Sequence, residues 1–187
     1  MKRREYLKTS AAVAGYTLLF GGAVASIKAC KVDPTLNWTP AFLTTEEALL
    51  VSDISERIIP KTDTPGAKDA MVDRFVDVNI ADNFTSEQQE LFRSDLVAFD
   101  EKAKSGYNNK FIDLKPEEQD QVLQLLADQA KELKGDRAHI FNVLKDMTVF
   151  GFFTSKVGAM ACLKYDAIPG DYQGCIDYSE VNGVWAF

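Results

Sequence analysis

The sequence predicts an all-α domain, a small bundle of five or six helices followed by an extended, aromatic C-terminal tail. Three observations carry that expectation. Helix-start signatures precede apolar residues spaced three and four apart. The stretches between those stripes are about four to ten residues long, as in helix bundles. No alternating run between Thr44 and Cys162 is long enough to argue for a sheet.

The first helix opens at Thr44-Thr45-Glu46-Glu47, a capping box in which Glu47 can return a bond to the Thr44 amide. Leu50, Ile54 and Ile58 continue it as one stripe, and Pro60 ends it. The stretch KTDTPGAKDA (61–70) reads as a turn, with Pro65-Gly66 at the reversal. A second helix places Val72, Phe75, Val76, Asn79 and Ile80 on a face. Ser86 and Gln89 form a second box and open a third helix through Leu91, Phe92, Leu96 and Phe99. SGYNNK (105–110) reads as a loop, and Pro116 opens a fourth helix where its missing N–H costs little. Val122, Leu123, Leu126, Ala130 and Leu133 carry that helix to Gly135. A fifth runs from Asp136 through Ile140, Phe141, Leu144 and Met147. Beyond Cys162 three glycines, one proline and five aromatics mark an extended or turn-rich tail, too apolar for a free end in water.

Composition bounds the function. The 187 residues are 46% hydrophobic and 26% charged, the balance of a globule with one core. The formal charge is −7, but Met1–Ala29 holds five of the 21 basic residues and one of the 28 acidic ones. The remainder carries 16 basic against 27 acidic residues, or −11. Such a surface repels phosphate backbones, which argues against nucleic acid as a partner.

The basic charge sits in a leader. Lys2, Arg3, Arg4 and Lys8 precede an apolar stretch from Ala11 to Ala25, interrupted by Gly15, Gly21 and Gly22. That stretch is short against the ~20 apolar residues of a membrane span and suits a signal peptide. Arg3, Arg4, Tyr6, Leu7 and Lys8 fit the twin-arginine export pattern, which serves cargo that is already folded. Two exits compete: Ala23-Val24-Ala25 suits ordinary cleavage, and Ile27-Lys28-Ala29-Cys30 resembles a lipobox that would acylate Cys30. The expected organisation is a signal over 1–29, a linker over 30–43 and a helical domain over 44–187, its tail beginning near Leu163.

No chemistry of the chain's own emerges. There is no G-x-G-x-x-G after a strand and no C-x-x-C-H, and three cysteines cannot hold an iron–sulfur cluster unaided. His139, the one histidine, reads as a structural or solvent-facing helix residue, and the acids fall on solvent faces without a convergent pair. The reading is of a chain that is not a catalyst by itself, with no catalytic, cofactor-binding or metal residues. Cys162 and Cys175 leave three options in an oxidising compartment: an intrachain bridge, a bond to a partner chain, or free thiols.

Thr148–Cys175 resembles the signature of gluconate 2-dehydrogenase subunit 3, the small (gamma) subunit of membrane-associated flavin-dependent sugar and sugar-acid dehydrogenases. The resemblance rests on Gly151-Phe152-Phe153-Thr154-Ser155, Gly158, Tyr165, Pro169-Gly170, Tyr172 and Gly174-Cys175. Ile54–Ala70 is also family-like. It implies a large partner of the glucose–methanol–choline oxidoreductase type that holds FAD, and a cytochrome c subunit with haem c for onward transfer. It further implies that this chain escorts the folded flavoprotein to the twin-arginine translocase and is periplasmic or envelope-associated. The docking strip expected on that basis comprises Phe152, Phe153, Tyr165, Ile168, Pro169, Gly170, Tyr172, Gly174, Cys175, Trp185 and Phe187, with Tyr178 and Val184 beside them. A reading of a different class takes the same chain as a lipid-anchored helical binding or structural protein of the envelope, without an oxidoreductase partner.

Overall fold

The computed structural model describes residues 36–132 and 139–165 and, in the tail, 168, 170–171, 174–177, 179 and 183–186. Six α-helices appear among them: α1 (Thr45–Ile58), α2 (Val72–Asn83), α3 (Ser86–Tyr107), α4 (Pro116–Glu132), α5 (Ile140–Thr154) and α6 (Lys156–Cys162). A 3₁₀ turn, Phe111–Asp113, joins α3 to α4. Two short strands, β1 (Lys164–Tyr165) and β2 (Trp185–Ala186), pair in parallel, Lys164 opposite Trp185. The all-α bundle expected from the sequence is present.

The apolar stripes do what their spacing foretells. Leu50 and Ile54 of α1, Val72, Val76 and Ile80 of α2, Phe92, Leu96 and Phe99 of α3, and Val122, Leu123 and Leu126 of α4 are buried in one core. Leu91, read with them as part of the third helix, is exposed. The centre is α5, the most apolar helix, which packs against α1, α2, α3, α4 and α6. Inside the core, Thr148 Oγ1 of α5 donates to Ser55 Oγ of α1 at 3.2 Å, giving two buried hydroxyls a partner.

Three helix boundaries differ from the sequence reading. The cap of α3 is Thr85, whose side chain accepts from Gln88 N while Gln88 bonds back to Thr85 N. Gln89, expected in that box, instead donates from Nε2 to the Ile80 carbonyl at 3.1 Å and ties the start of α3 to the end of α2. Helix α3 also runs through Ser105–Tyr107, because Gly106 does not by itself stop a helix; Asn108, left-handed at φ 56°, does. His139 stands outside α5 as its N-cap, Nδ1 accepting from Phe141 N at 3.1 Å. The expected start at Asp136 lies outside the described residues.

The linker expected over 30–43 is, from Leu36 onward, part of the body. Leu43 is buried, and Leu36, Trp38 and Phe42 pack against the core. Asp77 of α2, fully buried, accepts from three successive amides: Ala41 at 2.6 Å, Phe42 at 3.0 Å and Leu43 at 2.7 Å. Arg93 of α3 lies over the Phe42 ring and donates to its carbonyl at 2.6 Å. Arg74 lies over Trp38 and donates to Asn37 Oδ1 at 2.8 Å.

The turn after α1 is equally built. Glu56 accepts from Lys61 N and Lys68 N, and Asp69 accepts from Gly66 N and pairs with Lys61 Nζ at 3.0 Å. Ala67 is buried at its centre, its amide donating to the Ile59 carbonyl. Gly66 is required by space, since a Cβ there would fall 2.7 Å from Lys61 N.

Candidate partner-docking surface

Helix α5 presents two unlike faces at its C-terminal end. Gly151 points at α2, where a Cβ would fall 2.6 Å from Phe75 Cδ1; only hydrogen at that position lets the Phe75 ring close against α5. Phe152 enters the core at 1% exposure and meets the edge of Phe153, ring centroids 5.3 Å apart. Val149, Phe150 and Phe153 remain outside, with Phe150 61% and Phe153 39% exposed. Phe150 leans on Phe75 at 5.8 Å between centroids; Met71, the left-handed N-cap of α2, and Val78, one helical turn on from Phe75, are also exposed. The result is an aromatic and aliphatic face shared by two helices.

The corner beyond it is fixed by backbone and one hydroxyl. Ser155 closes α5, its amide donating to the Phe152 carbonyl, and opens α6, its Oγ accepting from Gly158 N at 2.9 Å. The same hydroxyl donates to the Phe152 carbonyl at 2.7 Å, and Thr154 Oγ1 donates to the Phe150 carbonyl at 2.7 Å. Gly158 lies against that Phe152 carbonyl. Most of the signature Gly-Phe-Phe-Thr-Ser with Gly158 therefore builds the corner that holds the face.

This geometry divides the expected strip. Phe152 is a core residue and not a docking one, because its ring points inward from α5. Phe153 is on the surface, and Ile168, Gly170, Gly174 and Cys175 are exposed in the tail. Tyr165 and Trp185 enter through backbone pairing, with Lys164 N donating to the Val184 carbonyl at 2.7 Å. Pro169, Tyr172, Tyr178 and Phe187 lie outside the described residues, as do Arg3, Arg4, Tyr6, Leu7, Lys8 and Cys30. Both Cys162 and Cys175 are free, exposed thiols.

Elsewhere several charged groups pair with one another. A cleft of about 200 Å³ between α1 and α3 is lined by Glu46, Glu47, Asp100, Lys104 and Lys110 over Leu50 and Leu96, and its lysines pair with Glu46 and Asp100. The hydrogen bond and charge of Asp100 raise the pKa of Lys104. Among the described residues no group of three or more His, Cys, Asp or Glu is placed to hold a metal, and no helix is long and apolar enough to cross a membrane.

Residues 45–170 match the family model for gluconate 2-dehydrogenase subunit 3. The chain belongs to that family. No curated protein and no solved structure matches it. The family segment runs from α1 into the tail and contains both the Glu56–Asp69 turn and the α5–α6 corner. The strap of residues 36–43 and strand β2 fall outside it.

Sequence reasoning missed the structural acids of this subunit. Glu56 and Asp77 were legible only as charges, although Asp77 follows Val76 directly on the buried side of α2, an unusual place for a carboxylate without an assigned partner.

Proposed function

We propose that this chain is the non-catalytic small subunit of a membrane-associated, FAD-dependent gluconate 2-dehydrogenase-like oxidoreductase. It binds a folded flavoprotein of the glucose–methanol–choline type, stabilises it, and lends it the leader that carries Arg3 and Arg4 to the twin-arginine translocase. A cytochrome c subunit with haem c takes electrons onward, and the assembly is periplasmic or held at the envelope, with Cys30 as the candidate lipid anchor. The flavin belongs to the partner, since this sequence has no Gly-rich turn between a strand and a helix.

The observation that carries the reading is the exposed face of α5. The family match spans it, and Phe150 stands 61% exposed on the most apolar helix of the bundle. Large aromatics grouped on a surface are the common anchors of protein interfaces. The leader adds a reason for the pairing: a flavoprotein loaded in the cytoplasm must cross folded, and its escort needs no cofactor.

Co-expression with a flavoprotein of the glucose–methanol–choline type tests this. The expected result is a yellow, dye-reducing complex, a colourless and inactive small subunit alone, and both chains stranded in the cytoplasm by Arg3→Lys with Arg4→Lys. A flavoprotein that reaches the envelope unaided, or a pull-down from solubilised envelope without flavin absorbance, would favour the lipid-anchored binding protein instead.

A further inference from the structure

We propose that residues 36–43 are a fold-dependent latch, which seats only on an assembled α2–α3 pair and so couples folding of the helical body to the display of the chain's N-terminal segment. The seat is made from two helices. Asp77 of α2 takes the amides of Ala41, Phe42 and Leu43, while Arg93 of α3 takes the Phe42 carbonyl and covers its ring. Arg93 also reaches Glu47 of α1 at 3.6 Å, so a third helix orients the grip. Gln89, bonded to the Ile80 carbonyl, holds α2 and α3 in the relation the seat needs.

The dependence runs both ways. Without the helices the strap has nothing to satisfy its amides but water. A half-seated strap would take donors from the Asp77 carboxylate while still shielding it from water, which disfavours partial seating. Seating is therefore close to all-or-none, and only residues 30–35 separate the strap from the part of the chain read above as an export leader. The coupling rests on that reading; the latch itself does not.

Hydrogen exchange on the full chain reads the latch. The amides of Ala41, Phe42 and Leu43 are expected to be protected like those of α2 and α3. Asp77→Asn, which replaces one acceptor oxygen by a donor, should speed their exchange by at least about tenfold while α4 and α5 stay protected. Should Asp77→Asn fail to fold, Arg74→Ala with Arg93→Ala loosens the strap from its solvent side and asks the same question. Free-chain exchange at 41–43 in the unaltered protein, or equal loss of protection in strap and helices, overturns the latch. For the coupling, envelope yield of the latch variants should fall at least about fivefold below that of Thr148→Val, a core change outside the strap. Equal yields overturn the coupling. Unchanged yield with Arg3→Lys and Arg4→Lys overturns the leader reading instead and leaves the exchange result standing.

Discussion

Gly158 rests directly against the carbonyl group of Phe152: a Cβ on Gly158 would lie 2.8 Å from that carbonyl carbon and nearer still to its oxygen. The obstacle is backbone, which cannot swing aside as a side chain can. Gly158→Ala should gain up to ~1 kcal/mol of helix propensity and lose more by forcing α5 and α6 apart. A net loss of about 1–3 kcal/mol in urea unfolding is expected. Gly106 in α3 is the control: a Cβ there would meet nothing within 4 Å, so Gly106→Ala should stabilise by about 0.5–1 kcal/mol.

Gly151 differs because its obstacle is the Phe75 ring. Gly151→Ala should push that ring off α5 and disturb its stacking on Phe150, at a cost of about 1–3 kcal/mol. Once Phe75→Ala has removed the ring, the same glycine change should cost little. A double-mutant cycle by chemical denaturation should therefore show a coupling of at least about 1 kcal/mol, and additive effects would place the strain elsewhere.

The bundle was legible because its helices bury periodic stripes, and periodicity survives in one dimension. The stripe of Val72, Val76 and Ile80 needed no tertiary knowledge to read. The capping box of α3 was displaced by one residue because Thr85/Gln88 and Ser86/Gln89 both fit the spacing; only the position of the Ile80 carbonyl decides which glutamine turns back. The strap was hidden for a related reason. Pro40 and the polar residues around it look like tether, and the three amides that settle the matter are invisible until Asp77 is known to face them. The docking face was legible as composition and not as direction. Phe150, Phe152 and Phe153 are alike in sequence, and the 100° turn between neighbours sends Phe152 inward and the other two outward.

The turn after α1 should loosen in acid. The Asp69 carboxyl titrates below the ordinary carboxylate range, chiefly through its hydrogen bond with Lys61 and next through the Gly66 amide. A lowered folded-state pKa means the contribution is complete above the ordinary Asp value and is lost as pH falls through the lower one. The exposed site should therefore hold the turn at neutral pH and release it only in strong acid, with Gly66 amide exchange rising in step. Lys61→Ala should move the carboxyl titration, followed by NMR, back towards the ordinary range; an unmoved titration would remove Lys61 as the cause.

Phe150 and Phe152 make opposite predictions although they are two residues apart. Phe152→Ala opens a cavity in the core and should cost about 3–5 kcal/mol of stability. Phe150 is mostly in water, so Phe150→Ser should lose little beyond its contact with Phe75, about 0.5–1.5 kcal/mol. If the α5 face grips the flavoprotein, the order reverses for binding. Phe150→Ser with Phe153→Ser should weaken the complex by at least about 30-fold, the loss typical of a central aromatic anchor. Titration calorimetry with the flavoprotein, paired with thermal unfolding of each variant, separates the two effects. Unchanged affinity in a folded double variant would move the interface off α5, and the exposed tail around Ile168 and Ile176 would be the next surface to substitute.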